Sequence, residues 1–299
     1  MKELREEWIL VDGLRIHYLA GGESGPPVVL LHGIGGDSAS LSWRSLMGLL
    51  SREHRVLAPD WPGHGESDSP DTEYTTDYFT RFFESFLDAL GLERASLVGS
   101  SLGAGVALGF ALRAPQRVES LVLTGTFGLG KRMPMRLLAY VVVWLPGLNR
   151  MIWAAMARSR RMVRRSLRNV IYDRRSITNK LVDEVFAQVR KPGVGKAYRS
   201  WQRSEISWRG LRSDFAGNLQ DLGVRTLLLH GAEDRFVPLS LAERAHALIK
   251  GSELRVFPGC RHWLPRERPD DFNRAVTEFL APDRSSVSGR PDKGARQLG

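Results

Sequence analysis

"LVGSSLGAG", residues 97–105, places two serines between two glycines at the end of an apolar run. The window Gly-x-Ser-x-Gly fits Gly99, Ser100, Ser101, Leu102 and Gly103, so Ser101 holds its centre and Ser100 only the first variable place. Glycine two residues to either side leaves room for a sharp strand-to-helix turn that lifts one hydroxyl above a sheet. Five residues recur by chance, and the window alone is weak. Here it follows "ASLV" and opens "LGAGVALGFALRA", which reads as a helix, so the context that the turn requires is present. At that helix N-terminus the Leu102 N–H points to where an oxyanion would form. The plain alternative is that Ser101 serves as a helix N-cap.

Working outward, short Val- and Leu-rich runs alternate with helical stretches. "PPVVLLHG" (26–33), "HRVLAPD" (54–60), "ASLVGS" (95–100), "RVESLVLTG" (117–125), "VRTLLLHG" (224–231) and "SELRVFPG" (252–259) read as buried strands. Buried strands separated by helices imply an α/β fold, with a mostly parallel sheet covered on both faces. The opening "WILVDGLRIHYLAGG" reads instead as a hairpin turned at Asp12-Gly13. The alternation breaks over 126–215, which holds helical segments and no convincing strand. The core is therefore assigned to 1–125 and 216–280, with 126–215 an inserted helical lid. The polar, Gly-rich 281–299 reads as a disordered tail. Ligands bind beyond the carboxyl ends of parallel strands, so an insertion leaving that edge would roof the site.

A serine at its free pKa is a poor nucleophile and needs a base held by an acid. His262, in "FPGCRHWLP", follows the last strand, and Asp234, in "LLLHGAEDRFVP", follows the strand before it. The chain order Ser101, Asp234, His262 is the one expected when all three come from successive strand ends. His17 lies in the hairpin, His54 starts a strand at its wrong end, and His246 is in mid-helix. Asp234 has a second reading as a cap for "PLSLAERAHAL", and Glu233 is its rival as the acid. A second oxyanion donor is expected from the glycine-rich "HGIGGDSASLSW", with the Ile34 N–H first and Gly35 next. His32 is read as bracing that loop and His64 as a loop residue on the oxyanion side.

Composition sets further bounds. The 42% of hydrophobic residues in 299 is enough for one sizeable core. A single cysteine, Cys260, leaves no internal disulfide and no thiol cluster for zinc. The charged opening "MKELREEWILVDG" is not read as a signal peptide. "LLAYVVVWL" (137–145) stops at Pro146 and is too short to span a bilayer. A cytoplasmic location fits. Residues 131–210 carry 19 Lys or Arg against 4 acids, a net of +15, so the remainder holds −5 of the chain's +10. Such a patch attracts an anionic substrate, an anionic membrane surface touched peripherally, or an acidic partner. No zinc-finger spacing or other nucleic-acid module accompanies it. The glycine-rich stretches lack the dinucleotide and phosphate-loop patterns, so neither a cofactor nor a metal is implied.

"HGIGG", "DWPGHGESD", "GSSLGAG", "HGAEDRFVP" and "GCRHW" together resemble, in order and spacing, the α/β-hydrolase fold superfamily over roughly 8–280. The resemblance implies its serine-nucleophile branch, since the dehalogenases and epoxide hydrolases of this fold place aspartate at position 101. It also implies that Asp60, Gly63, Gly65 and Ser67 shape a structural loop without reacting. On breadth of class, the expected activity is hydrolysis of a carboxylic ester through an acyl-enzyme. The closing segment, with a Trp after His262, is similar to carbon–carbon bond hydrolases of ring-cleavage products, whose substrates are anionic diketone acids. A basic lid suits such acids, with Arg190 one candidate for the carboxylate. Two features depart from that group: the first loop lacks its Gly-Pro-Gly, and Arg261 stands where it usually has Gly. Thioester cleavage, haloperoxidase-like activity and a noncatalytic binding protein are the remaining readings. Leu137, Leu138, Val142 and Trp144 are offered as an acyl-pocket lining or a buried helix face.

Overall fold

The computed structural model describes residues 4–281; the tail expected at 281–299 lies, but for Ala281, outside them. The chain opens with the hairpin β1 (Arg5–Val11) and β2 (Leu14–Gly21), turned at Asp12 and Gly13, both at positive φ. Then follow β3 (Pro27–Leu31), α1 (Ala39–Leu50), β4 (Arg55–Pro59), α2 (Thr76–Ala89), β5 (Ala95–Ser100), α3 (Leu102–Arg113) and β6 (Val118–Thr124). Five helices come next: α4 (Arg136–Trp144), α5 (Leu148–Met156), α6 (Arg160–Val170), α7 (Asn179–Val189) and α8 (Pro192–Glu205). A two-residue-per-strand hairpin, β7 (Ile206–Ser207) and β8 (Gly210–Leu211), is a small addition to the all-helical insertion expected there. The chain closes with β9 (Arg225–Gly231), α9 (Leu239–Leu248), β10 (Glu253–Phe257), α10 (Leu264–Glu267) and α11 (Pro269–Leu280).

The main sheet runs β1-β2-β4-β3-β5-β6-β9-β10, antiparallel in its first two pairings and parallel thereafter. Alternation along a strand sends successive side chains to opposite faces. Val29 and Leu31 of β3 therefore enter the core beneath α2 and α3, while Val28 and Leu30 enter the one beneath α1 and α11. This two-faced burial is why the strands read as continuous apolar runs. Phe79, Phe82, Phe83 and Phe86 recur at helical spacing along α2 and are all buried, and Thr75 caps its start through Tyr78 N–H.

The lid has its own core, in which Trp153, Val163, Leu167, Leu181 and Val185 meet Leu41 and Trp263 of the main body. Two buried carboxylates tie it down. Glu267 accepts the N–H groups of Tyr172, Asp173 and Arg261 at 2.6, 2.8 and 2.9 Å, linking the lid to the loop that carries His262. Glu205 accepts Thr76 Oγ1–H at 2.6 Å and the Ser213 hydroxyl at 2.9 Å. Leu137, Leu138 and Trp144 of α4 are exposed, which corrects both the acyl-pocket and the buried-face readings for them. The face of α4 turned inward carries Val143 instead.

Candidate active site

β5 ends at the buried Ser100, and the chain then turns through Ser101 at φ +53° and ψ −116°. A non-glycine residue held there costs of order 1–3 kcal/mol, so its surroundings must over-determine it. They do so from both sides of the peptide. Ser101 N–H donates to Thr124 O at 2.9 Å, and Ser101 O accepts the N–H groups of Gly105 and Phe127 at 3.0 and 3.2 Å. The flanking glycines answer a spatial need: a Cβ on Gly99 would lie 2.5 Å from Ala104 Cα, and one on Gly103 2.1 Å from Leu31 O. Ser101 occupies the N-cap position of α3, but its hydroxyl caps nothing.

That hydroxyl stands 2.9 Å from His262 Nε2, and His262 Nδ1 is 2.7 Å from Asp234 Oδ2. A carboxylate accepts, so Nδ1 carries the proton and Nε2 is left to accept from Ser101. Asp234 uses both of its carboxylate oxygens. Its Oδ2 orients the imidazole, while Oδ1 accepts Phe236 and Val237 N–H at 2.7 and 3.0 Å and closes the turn after β9. It does not cap α9, whose first turn begins after Pro238. Glu233 accepts the N–H of Cys260 at 3.0 Å and has no bond to His262. The structure thus brings Ser101, Asp234 and His262 into one hydrogen-bonded line.

Burial pulls the His262 pKa down, but the charge and hydrogen bond of Asp234, joined by the Asp37 charge, outweigh it and leave the group above 6.5. For Asp234 the balance runs the other way. Burial raises it, and the His262 charge and hydrogen bond, then His230 and Val237 N–H, bring it below the ordinary carboxylate value.

The first loop lies beside the nucleophile; a Cβ on Gly33 would sit 3.4 Å from Ser101 Cβ. Gly33 N–H donates to Asp37 Oδ2 at 2.9 Å and Gly35 N–H to His64 Nε2 at 3.2 Å. Between them, Ile34 N–H has no acceptor among the described residues. The N–H of Leu102, at the first position of α3, is one that helix geometry leaves free. Burial, and then the His32 charge, push the His64 pKa down to about 3, which keeps its ring a neutral acceptor. His32 is buried, with Nδ1 on Gly33 O at 2.6 Å and Nε2 accepting Trp61 N–H at 3.1 Å. Asp60 accepts from the His17 ring at 2.7 Å and from the N–H groups of Ala39 and Glu66, and a Cβ on Gly65 would strike its carboxyl at 1.9 Å.

Several neighbours escaped the sequence reading. Asp37 is buried under the first loop, where Ser42 Oγ–H bonds it at 2.8 Å while accepting Trp263 Nε1–H at 2.9 Å. Its pKa is raised by burial, which outweighs His32, Ser42 and two backbone donors. His230, at the end of β9, donates to Val237 O at 2.9 Å and lies 3.7 Å from Asp234 Oδ2, bracing the acid's turn. Gly125, at φ +53°, backs the imidazole: a Cβ there would meet His262 Cε1 at 3.0 Å. "DS" before a helix reads as a cap, and "LLLHG" as a strand end, so neither carried a separate signal. From the lid, the Tyr198 ring of α8 and Val185 and Val189 of α7 close over Gly35 and Gly36. Arg190 is exposed and stacks on Phe186 at 5.3 Å, outside this line of groups.

A parallel sheet with a serine on a strained strand-to-helix turn, a histidine and an acid from the next strand ends, and a helical insertion defines a class of enzyme. The chain belongs to the alpha/beta hydrolase fold family, whose model matches residues 26–269, and within it to the serine-dependent branch of the meta-cleavage product hydrolases. It is 34% identical over 261 residues to 2-hydroxy-6-oxo-2,4-heptadienoate hydrolase of Pseudomonas putida, covering 86% of this chain and 90% of that one. It is 34% identical over 277 residues to 2-hydroxymuconate semialdehyde hydrolase of Pseudomonas sp. strain CF600, covering 91% and 93%. The meta-cleavage product hydrolase of Pseudomonas fluorescens IP01, solved as a mutant with acetates, superposes with a TM-score of 0.78 at 34% identity, over 92% of this chain and 97% of that one. These relatives overturn the expectation of a carboxylic-ester hydrolase, which rested on the breadth of that class, and favour the carbon–carbon alternative.

Proposed function

We propose that this chain hydrolyses a carbon–carbon bond next to the ketone of an anionic ring-cleavage acid of the 2-hydroxy-6-oxo-dienoate type. One observation carries the reading: the in-line Ser101–His262–Asp234 geometry stands in a chain one-third identical, nearly end to end, to enzymes named for such acids. An ester and a 6-oxo-dienoate both offer a carbonyl to Ser101, but they differ in the leaving group. An alkoxide leaves an ester, whereas the C5–C6 bond breaks only if C5 departs as a stabilised carbanion.

The chemistry follows from that difference. The 2-hydroxy-dienoate first ketonises, moving the hydroxyl proton to C5 and making the C5–C6 bond vinylogous to a β-diketone. Ser101 Oγ then attacks C6 as His262 Nε2 takes its proton. The developing oxyanion is met by the N–H groups of Ile34 and Leu102. The tetrahedral centre collapses with cleavage of C5–C6, and the electron pair runs back to the 2-oxo group. The proton on His262 is returned to the leaving fragment. Water, activated by the same histidine, releases the acyl group from Ser101. The sum is substrate plus water giving a carboxylic acid and a 2-hydroxy-dienoate. Asp234 holds the imidazole tautomer and stabilises its charged form throughout. The lid's positive field favours approach of the carboxylate.

The test is turnover of 2-hydroxy-6-oxo-2,4-heptadienoate, followed by loss of its dienolate absorbance. Wild type is expected to consume it, and Ser101→Ala to lose roughly four to six orders of magnitude in kcat while still binding it. Turnover surviving in Ser101→Ala, or a wild type that cleaves neutral esters and leaves the dienoate untouched, would overturn the proposal.

A further inference from the structure

The lid's outer surface carries a feature that the chemistry at Ser101 does not use. Along α4, Leu137, Leu138, Val141 and Trp144 fall on one helical stripe that faces solvent, from 65% exposed at Leu137 to 42% at Trp144, and the exposed Leu145 follows at its end. The chain bends by 92° into α5, where Met151 is 69% exposed. Beside them the Trp208–Arg209 pair projects from the β7–β8 turn, with the guanidinium 4.7 Å from the ring centroid. An open depression of about 670 Å³ lies between Arg209 and α4, walled by Lys131, Arg132 and Leu138, and no wall of it belongs to the site around Ser101. Water-facing apolar side chains gathered this way mark a contact surface.

The charge around the stripe says what it contacts. Residues 131–172 hold ten Lys or Arg and no Asp or Glu. On the α5–α8 seam Arg150, Arg199 and Arg203 have no carboxylate within 4 Å among the described residues. Burial, and then the charges of Arg150 and Arg203, pull the Arg199 pKa below its ordinary value. The Arg-rich α6 differs. It buries Val163 and Leu167, pairs Arg160 with Asp183 and shows no large exposed apolar residue. It adds to the field without supplying a surface to insert. No helix among the described residues is long and apolar enough to cross a membrane.

We propose that the α4–α5 ridge of the lid docks on an anionic phospholipid bilayer, its apolar stripe entering the interface while the surrounding cations meet headgroup phosphates. Aliphatic residues and tryptophan flanked by Lys and Arg suit the headgroup boundary, where indole rings settle and cations gain from the surface potential. A second copy of the chain is the poorer fit. A two-fold contact would set this acid-free surface against itself and bring its cations together. The proposal is independent of the substrate assigned to Ser101.

Co-sedimentation of the full chain with phosphatidylcholine vesicles, with and without phosphatidylglycerol, tests it. Binding is expected only with phosphatidylglycerol and is expected to weaken as salt rises. Replacing Arg132 and Arg209 together by Gln should weaken it roughly 30-fold, ~1 kcal/mol for each cation removed. Leu138→Asp should abolish it while dienoate turnover stays at the wild-type level, since Leu138 lies outside the site. Equal binding to both vesicles, or none to either, overturns the proposal. So does concentration-dependent dimerisation in ultracentrifugation that Leu138→Asp removes, which would assign the ridge to a subunit contact.

Discussion

The turn around Ser101 and the outer lid solve opposite problems. At the turn, a strained residue is clamped by three backbone hydrogen bonds, and the two glycines beside it have no room for a methyl group. On the outer lid, apolar side chains face water, and Arg150, Arg199 and Arg203 have no carboxylate within 4 Å among the described residues. The first region spends stability to fix one hydroxyl within bonding distance of one imidazole. The second leaves interactions unmade within the chain and available to something outside it. Rigidity therefore marks where the chemistry is set, and unsatisfied surface marks where contact is made.

The largest blow to the rigid side should come from Asp234→Asn. The amide can donate where the carboxylate accepted, so His262 loses the partner that fixes its tautomer, and kcat should fall about 10⁴-fold. The histidine also loses the main influence holding its pKa above 6.5. His262 must be neutral to accept the Ser101 proton, so the acid limb of kcat/KM should move to lower pH in the variant. A pH–rate profile over both limbs checks this. An acid limb that stays in place when Asp234 becomes Asn would deny that Asp234 governs the base.

Next in size is Gly103→Ala. With the Cβ placed 2.1 Å from Leu31 O, β3 and α3 cannot keep their present distance, and stability should fall by ~4 kcal/mol. Denaturant melts measure it. An alanine variant within ~0.5 kcal/mol of wild type would show that the close approach is not what selects glycine there.

The same contrast explains what could be read in the chain. The elbow and the hydrogen-bonded line of Ser101, His262 and Asp234 were legible because each constraint is local: a glycine pair, a strand end, a histidine five residues after β10. The parallel sheet was legible because strands buried on both faces leave continuous apolar runs. Asp37, His230 and Gly125 were not, because their contacts join loops whose meeting is set only by the closed sheet. For α4, the apolar run 137–145 fits a buried face, a pocket lining or an exposed ridge equally well in sequence. Which side it turned outward depended on the packing of α5 and α8. Ester against carbon–carbon cleavage was illegible for a chemical reason: the same three residues serve both leaving groups.

The smallest expected effect probes the hidden part of the rigid side. Asp37 shares a network with Ser42 and Trp263, and its charge acts on His262 in the same direction as that of Asp234. Asp37→Asn keeps an acceptor for Gly33 N–H and removes the charge. The His262 pKa should fall, and the acid limb of kcat/KM should shift to lower pH by less than about one unit, or ~1.4 kcal/mol of interaction. Loss of loop geometry would instead lower kcat/KM across the whole profile without moving the limb, because it displaces Ile34 N–H, the proposed oxyanion donor, at every pH. A shifted limb at near wild-type plateau assigns Asp37 an electrostatic part in tuning the base. A lowered plateau with an unmoved limb assigns it only the bracing of the first loop.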